Sequence, residues 1–120
     1  MTLQECYTAM NGNYADVLDR LRSERLVQKF VLKFLEDRSY ALLCDSLKNG
    51  NHDEAFRASH TIKGMCQNLA FTRLEASSTA LTEALRSGTV QEDDLLVTQV
   101  MKDYRITTEA IQKFKADNNL

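Results

Sequence analysis

The sequence predicts an all-α fold: an antiparallel four-helix bundle with additional helices at its N-terminal end. Three observations carry this expectation. Proline is absent and glycine occurs only four times, so the chain lacks the turn residues that a β-rich protein of this length requires. Gly12, Gly50 and Gly88 each follow a segment with helical apolar spacing, and two of them sit beside asparagine, as helix C-caps and turns do. The segments between them are joined by short connections, which make consecutive helices antiparallel neighbours.

The elements follow in order. Thr2 and Glu5 have the spacing of a capping box and open a helix to Met10. A short helix runs from Tyr14 to Leu21. Ser23 caps a third, Glu24 to Asp37, whose apolar stripe is Val27, Phe30, Val31, Phe34 and Leu35. These N-terminal helices, residues 1–37, are expected to cover one side or end of a bundle spanning 39–116. Its first helix, capped by Ser39, carries Leu42, Leu43 and Leu47 to Lys48. The second runs from Asn51 to Leu69 with Gly64 in its interior. A second capping box, Thr72 and Glu75, opens the third, which ends at Ser87. The fourth starts at Glu92 and ends near Lys115, with Val97, Val100, Tyr104, Thr108 and Ile111 as its stripe. Its acidic start, Glu92-Asp93-Asp94, and its basic end, Lys113 and Lys115, suit the helix dipole.

Composition narrows the function classes. A chain of 120 residues with no internal repeat or linker fits one domain, residues 1–120. Fifteen basic against seventeen acidic residues leave a net charge of −2, which argues against nucleic acid as a partner, since phosphate backbones demand a clustered basic surface. No apolar run has membrane-span length and the first residues lack a signal-peptide layout, so the expected location is the cytoplasm, with no membrane partner. Cys6, Cys44 and Cys66 are odd in number and widely spaced, which suits reduced thiols packed as small hydrophobes. With no HExxH or CxxC spacing, and with His52, His60 and the cysteines spread over different faces, no metal site is expected. No glycine-rich phosphate loop is present, so the chain is not expected to be a kinase by itself.

One helix carries unusual residues on its outer face. At 100° per residue, Ala55, Ala58, Ile62, Met65 and Leu69 share a core face, with Ser59 and Cys66 at its edge. The opposite face carries Phe56, Arg57, His60, Lys63, Gly64 and Gln67. Glycine inside a helix costs about 1 kcal/mol against alanine. On a solvent face its effect is to clear the space one turn beyond His60. Lys63 adds a positive charge suited to phosphate oxygens, and neutral imidazole is a competent nucleophile near pH 7. Together these three residues describe a phosphoryl-accepting site.

His60-Thr-Ile-Lys63-Gly64, preceded by Phe56-Arg-Ala-Ser and followed by Asn68-Leu69, resembles the histidine-containing phosphotransfer (HPt) domain of two-component phosphorelays. The similarity continues through Phe71-Thr-Arg-Leu74. The resemblance implies a helical bundle presenting His60 as the phosphorylated residue, with Lys63 stabilising the phosphoryl group and Gly64 as the small residue beside it. It implies receiver domains of response regulators, and a hybrid histidine kinase, as partners. It also implies that the receiver, not this chain, supplies the aspartate and the Mg²⁺, so no cofactor is expected here. Such families often place a polar or basic residue on the following helix near the imidazole; Thr79, Thr82 and Arg86 are the candidates, with Gln67 a further supporting residue. Phe56 and Arg57 are candidate docking residues. Two departures stand out: Ala70 replaces a common glycine after the leucine, and Thr82 lies near a common glutamine. The competing expectations are a non-catalytic helical adaptor that docks through the Phe56–Gln67 face, and a regulatory domain cut from a larger sensor kinase. The Met1 start favours a free-standing chain.

Overall fold

Seven helices and no strand make up the computed structural model, which describes residues 1–120: α1 (Leu3–Ala9), α2 (Tyr14–Leu21), α3 (Glu24–Phe34), α4 (Ser39–Lys48), α5 (His52–Leu69), α6 (Thr72–Ser87) and α7 (Leu95–Asp117). Local chemistry sets most boundaries. Thr2 and Glu5 form the reciprocal capping box at α1. The side chains of Asn13, Ser23 and Asn51 accept from the third backbone N–H of α2, α3 and α5. Gly50 takes up a left-handed conformation, φ 70°, to end α4.

Several boundaries differ from the sequence expectation. Thr72 does not cap α6: it is the first helical residue, Phe71 precedes it without a side-chain cap, and the Thr72 hydroxyl donates to the Ala70 carbonyl instead. Ser39 likewise lies inside α4, and it is Asp37 that accepts from the Ser39 N–H. α7 begins three residues later than expected because Asp94, not the residue before Glu92, is its N-cap, bonding the Leu96 N–H at 2.8 Å. α3 ends at Phe34 rather than Asp37. At the first turn the left-handed residue is Asn11, φ 56°, not Gly12. Gly12 is required for closeness: a Cβ there would stand 2.8 Å from the Tyr7 ring and 3.0 Å from the Ala70 carbonyl.

The α5–α6 pair is antiparallel, as bonds between them show. His52 at the start of α5 meets the Leu85 carbonyl near the end of α6, while Ser59 in the middle meets Ser78 and Thr82. α4 packs on α5, and α6 on α7. The Tyr40 and Tyr104 rings stack between α4 and α7 at 3.7 Å. α1 lies along α7, with the N-terminal ammonium 3.2 Å from Asp117. One hydrophobic cluster draws residues from all seven helices, from Leu3 to Phe114. Tyr7, Phe34 and Phe71 interlock at its centre, with ring centroids 5.2 to 5.6 Å apart.

Two stripes are rotated from expectation. On α7 the buried line runs through Val100, Asp103, Thr107 and Ile111, and Tyr104 is half-buried beside it. On α3 Phe30 is 40 % exposed rather than core, because α3 packs mainly on α2, α5 and α7 and leaves that edge open. Every buried polar side chain has a hydrogen-bond partner. No helix is long and apolar enough to cross a membrane.

Candidate phosphoacceptor site

α5 is the longest helix of the bundle core apart from α7, and its wheel decides the site. Ala55, Ala58, Ser59, Ile62, Cys66 and Leu69 are buried, while Arg57, His60, Thr61, Gln67 and Asn68 are exposed. Ser59 and Cys66 thus belong to the centre of the core face, not its edge, and Met65 is the half-buried edge residue. Small side chains at 55, 58 and 59 explain the rotation, since they let α6 approach closely. Ser59 and Thr82 hydroxyls meet at 2.7 Å in that contact, and Thr82 also donates to the Ser78 carbonyl.

That contact corrects one expectation. Thr82 is not a residue near the imidazole; it is fully buried with its hydroxyl committed to the core, and it offers nothing to His60. Thr79 is half-buried. The hydrogen bonds of the chain include none to either ring nitrogen of His60, whereas the His52 ring makes one, 3.1 Å to the Leu85 carbonyl.

The remaining expected residues do gather on one surface. His60 is exposed. One turn beyond it, a Cβ built on Gly64 would meet no atom within 4 Å. Gly64 therefore marks open space beside the imidazole and not a tight helix crossing. Lys63 is half-buried and takes part in none of the five ion pairs, in which Asp16, Glu83, Glu109 and Asp117 pair with other cations, so its ammonium is available to an incoming anion. On the other side, the Phe56 ring stacks on the imidazole, centroids 6.1 Å apart and planes within 17°. The Arg86 guanidinium lies over the Phe56 ring at 5.1 Å and its Nε is 3.4 Å from Glu83. Phe56, Arg57 and Arg86 line a depression of about 520 Å³ with His52 and Asp53. Gln67 lies exposed one turn past Lys63, and its carbonyl accepts from Arg20 of α2.

Arg20 was not legible as a site neighbour in the sequence, because nothing local links α2 to the end of α5. The whole N-terminal region in fact ties that end down. Tyr7 Oη donates to the Leu69 carbonyl at 2.8 Å, and the Asn13 N–H to the Ala70 carbonyl at 2.8 Å. These are carbonyls a helix terminus otherwise leaves unpaired. Ala70 itself sits in the left-handed region, φ 56° and ψ 42°, and Phe71 N–H returns to the Cys66 carbonyl. The turn that a glycine commonly makes is therefore made here by alanine.

The thiols do not contribute to this surface. Burial pushes the Cys6 thiol up to about 11 and raises the Cys66 thiol further. No group of three or more His, Cys, Asp or Glu side chains converges anywhere in the chain.

The arrangement so far is an exposed histidine, a free lysine and an open glycine on one face of a bundle helix. A comparison with protein families matches residues 25–114 to the Hpt domain. The chain belongs to the Hpt domain family. The match covers α3 to α7 almost entirely and leaves α1 and α2 outside it. Membership gives this Hpt domain a phosphotransfer role in two-component phosphorelays, where such domains interact with receiver domains and kinases. Searches of curated proteins and of solved structures give no match.

Proposed function

We propose that this Hpt domain carries a phosphoryl group on His60, taking it from the aspartyl phosphate of one receiver domain and passing it to the aspartate of another. The observation that supports this most is the combination at α5: an exposed imidazole, no neighbour within 4 Å of a Cβ at Gly64, and a lysine without an ion pair one turn away. In the forward step the outer ring nitrogen, Nε2, attacks phosphorus in line with the carboxylate oxygen. The N–P bond forms as the P–O bond breaks, and the aspartate leaves as carboxylate. The proton stays on Nδ1 during attack, so the ring is cationic until that proton is lost to water. In the onward step water returns the proton to Nδ1, the acceptor carboxylate attacks phosphorus, and the N–P bond breaks to leave neutral imidazole.

Such a transfer is mostly positioning and electrostatics. Lys63 offsets charge on the phosphoryl oxygens, Gly64 admits them, and Arg57 and Gln67 flank the docking face. Arg86 is a supporting residue, but its guanidinium is engaged with Phe56 and Glu83. The cation that assists the aspartate is the receiver's Mg²⁺, and the chain needs no cofactor of its own. The partners are response-regulator receivers and a hybrid kinase, in the cytoplasm, and residues 1–120 act as one domain.

The test uses a panel of receiver domains phosphorylated by acetyl phosphate with Mg²⁺. His60→Gln is expected to abolish transfer to the chain while the variant still binds the receivers that wild type binds. Transfer that survives His60→Gln rules out the reading, and signalling that survives without any transfer favours a docking adaptor.

A further inference from the structure

We propose that Phe56 is a positioning residue for phosphoryl transfer: it fixes the plane of the His60 imidazole by stacking, and Arg86 fixes Phe56 in turn. The inference rests on His60 being the acceptor. Hydrogen bonding does not hold the ring. Neither ring nitrogen of His60 hydrogen-bonds within the chain, and Thr82, the nearest polar candidate on α6 from the sequence, is buried against Ser59. An exposed imidazole without a hydrogen bond rotates about its Cβ–Cγ bond unless something else restrains it.

Packing supplies the restraint. Helical side chains lean toward the N-terminus, so His60 leans onto the residue four before it. That residue is Phe56, whose ring lies within 17° of parallel to the imidazole at a centroid distance of 6.1 Å, inside the range of offset aromatic stacking. Phe56 is half-buried against the core, and Arg86 of α6 lies over its ring at 5.1 Å. Glu83, one turn before on α6, holds the Arg86 Nε at 3.4 Å. The series Glu83–Arg86–Phe56–His60 thus reaches the imidazole from α6 without a hydrogen bond to it. On the other side of His60, Gly64 leaves the ring's remaining surroundings open.

The consequence is geometric. The nucleophilic lone pair of imidazole lies in the ring plane, so fixing the plane fixes the line along which phosphorus must approach. A ring free to rotate spends less time aligned, and transfer slows by the lost fraction. After attack the ring carries positive charge, and the face of the Phe56 ring stabilises it. Phe56 therefore assists even a donor too small to use a docking surface, which separates this role from docking.

The experiment measures phosphorylation by phosphoramidate, in which the donor's P–N bond breaks, ammonia leaves and the Nε2–P bond forms. It is run on the full chain beside ¹H–¹⁵N spectra of the His60 ring. Phe56→Leu keeps apolar bulk and removes the aromatic face. It is expected to slow phosphorylation roughly three- to tenfold and to move the His60 ring protons downfield, toward their unstacked positions, with only a small drop in melting temperature and folding still cooperative. Phe56→Tyr is expected to restore both rate and shifts. Arg86→Gln is expected to give an intermediate loss in both, because Phe56 is less restrained. A Phe56→Leu variant phosphorylated at the wild-type rate overturns the positioning role, and so does a rate loss without movement of the ring protons. A wild-type chain that takes no phosphoryl group at all overturns the acceptor reading itself, which is a separate and visible outcome.

Discussion

At residue 64, replacing a hydrogen by a methyl group meets no neighbour within 4 Å, so the fold does not need glycine there. Helix propensity alone says Gly64→Ala stabilises the chain by up to about 1 kcal/mol. The same methyl projects into the space beside His60. The expected outcome is a higher melting temperature together with transfer from a receiver slowed roughly tenfold or more, because the donor is displaced from the line of attack. A variant that gains stability and keeps the full rate would show that the open space has no function. Ala70 is the opposite case. It is buried, 4 % exposed, and left-handed at φ 56°. A β-branched side chain is excluded from that region, so Ala70→Val is expected to cost about 2 kcal/mol or more, read from a urea melt. These two positions also show what the sequence reveals at this scale. His60, Lys63 and Gly64 were legible because four-residue helical spacing places them on one face. Thr82 was misassigned because α6 has serine and threonine on both faces, and residue type alone does not say which side a small hydroxyl takes. Its burial depends on Ser59, a residue of another helix.

The helix that carries the site is held at both ends by different means. Asn51 caps its start, and the carbonyls at its far end accept from Tyr7, Asn13 and Arg20 of the N-terminal region. Residues 1–24 lie outside the family match, yet they complete the terminus of the helix that presents His60. Tyr7→Phe leaves the ring packing intact and removes one buried donor from the Leu69 carbonyl. The expected cost is about 1–2 kcal/mol in thermal or urea unfolding. An unchanged midpoint would mean that the carbonyl finds water instead. The strand-free pattern, the four bundle helices and the caps at Thr2 and Ser23 were legible from short-range sequence, since each is decided within four residues. The start of α7 was not, nor were the caps of α4 and α6, because Ser39 and Thr72 compete with neighbours that fix the turn: the Asp37 carboxylate before α4, and the Phe71 return to Cys66 before α6. The turn after Leu69 shows the limit from the other side, since its left-handed alanine is supported by contacts from Tyr7 and Asn13, which lie more than fifty residues away in sequence.

Across the whole molecule, the core and the site are chemically separate. Cys6 and Cys66 are fully buried and burial raises both thiols, whereas Cys44, also raised by burial, is only half-buried and lines an open apolar recess with Tyr40 and Met101. Native alkylation is therefore expected to label Cys44 first, with Cys6 and Cys66 reacting only on unfolding. Equal labelling of all three would show that the core opens far more readily than its packing suggests. The termini add a pH dependence. The Glu5 carboxyl is held below its ordinary value by the Thr2 backbone N–H and hydroxyl, and Asp117 by the Lys113 ammonium and the N-terminus. A lowered folded-state value means that this stabilisation is complete above the ordinary carboxyl range and is lost as pH falls through the folded values. Both groups lie at the surface, so the effect is small; Thr2→Ala is expected to weaken only the Glu5 part, because the Thr2 backbone N–H and the partners of Asp117 remain.

The central claim, that His60 carries the phosphoryl group, is tested most directly by intact-protein mass after treatment with phosphoramidate, beside a His60→Gln control. The account predicts one acid-labile phosphoryl adduct on the wild-type chain and none on the control. An unmodified wild-type chain, or an adduct that persists in His60→Gln, would contradict it.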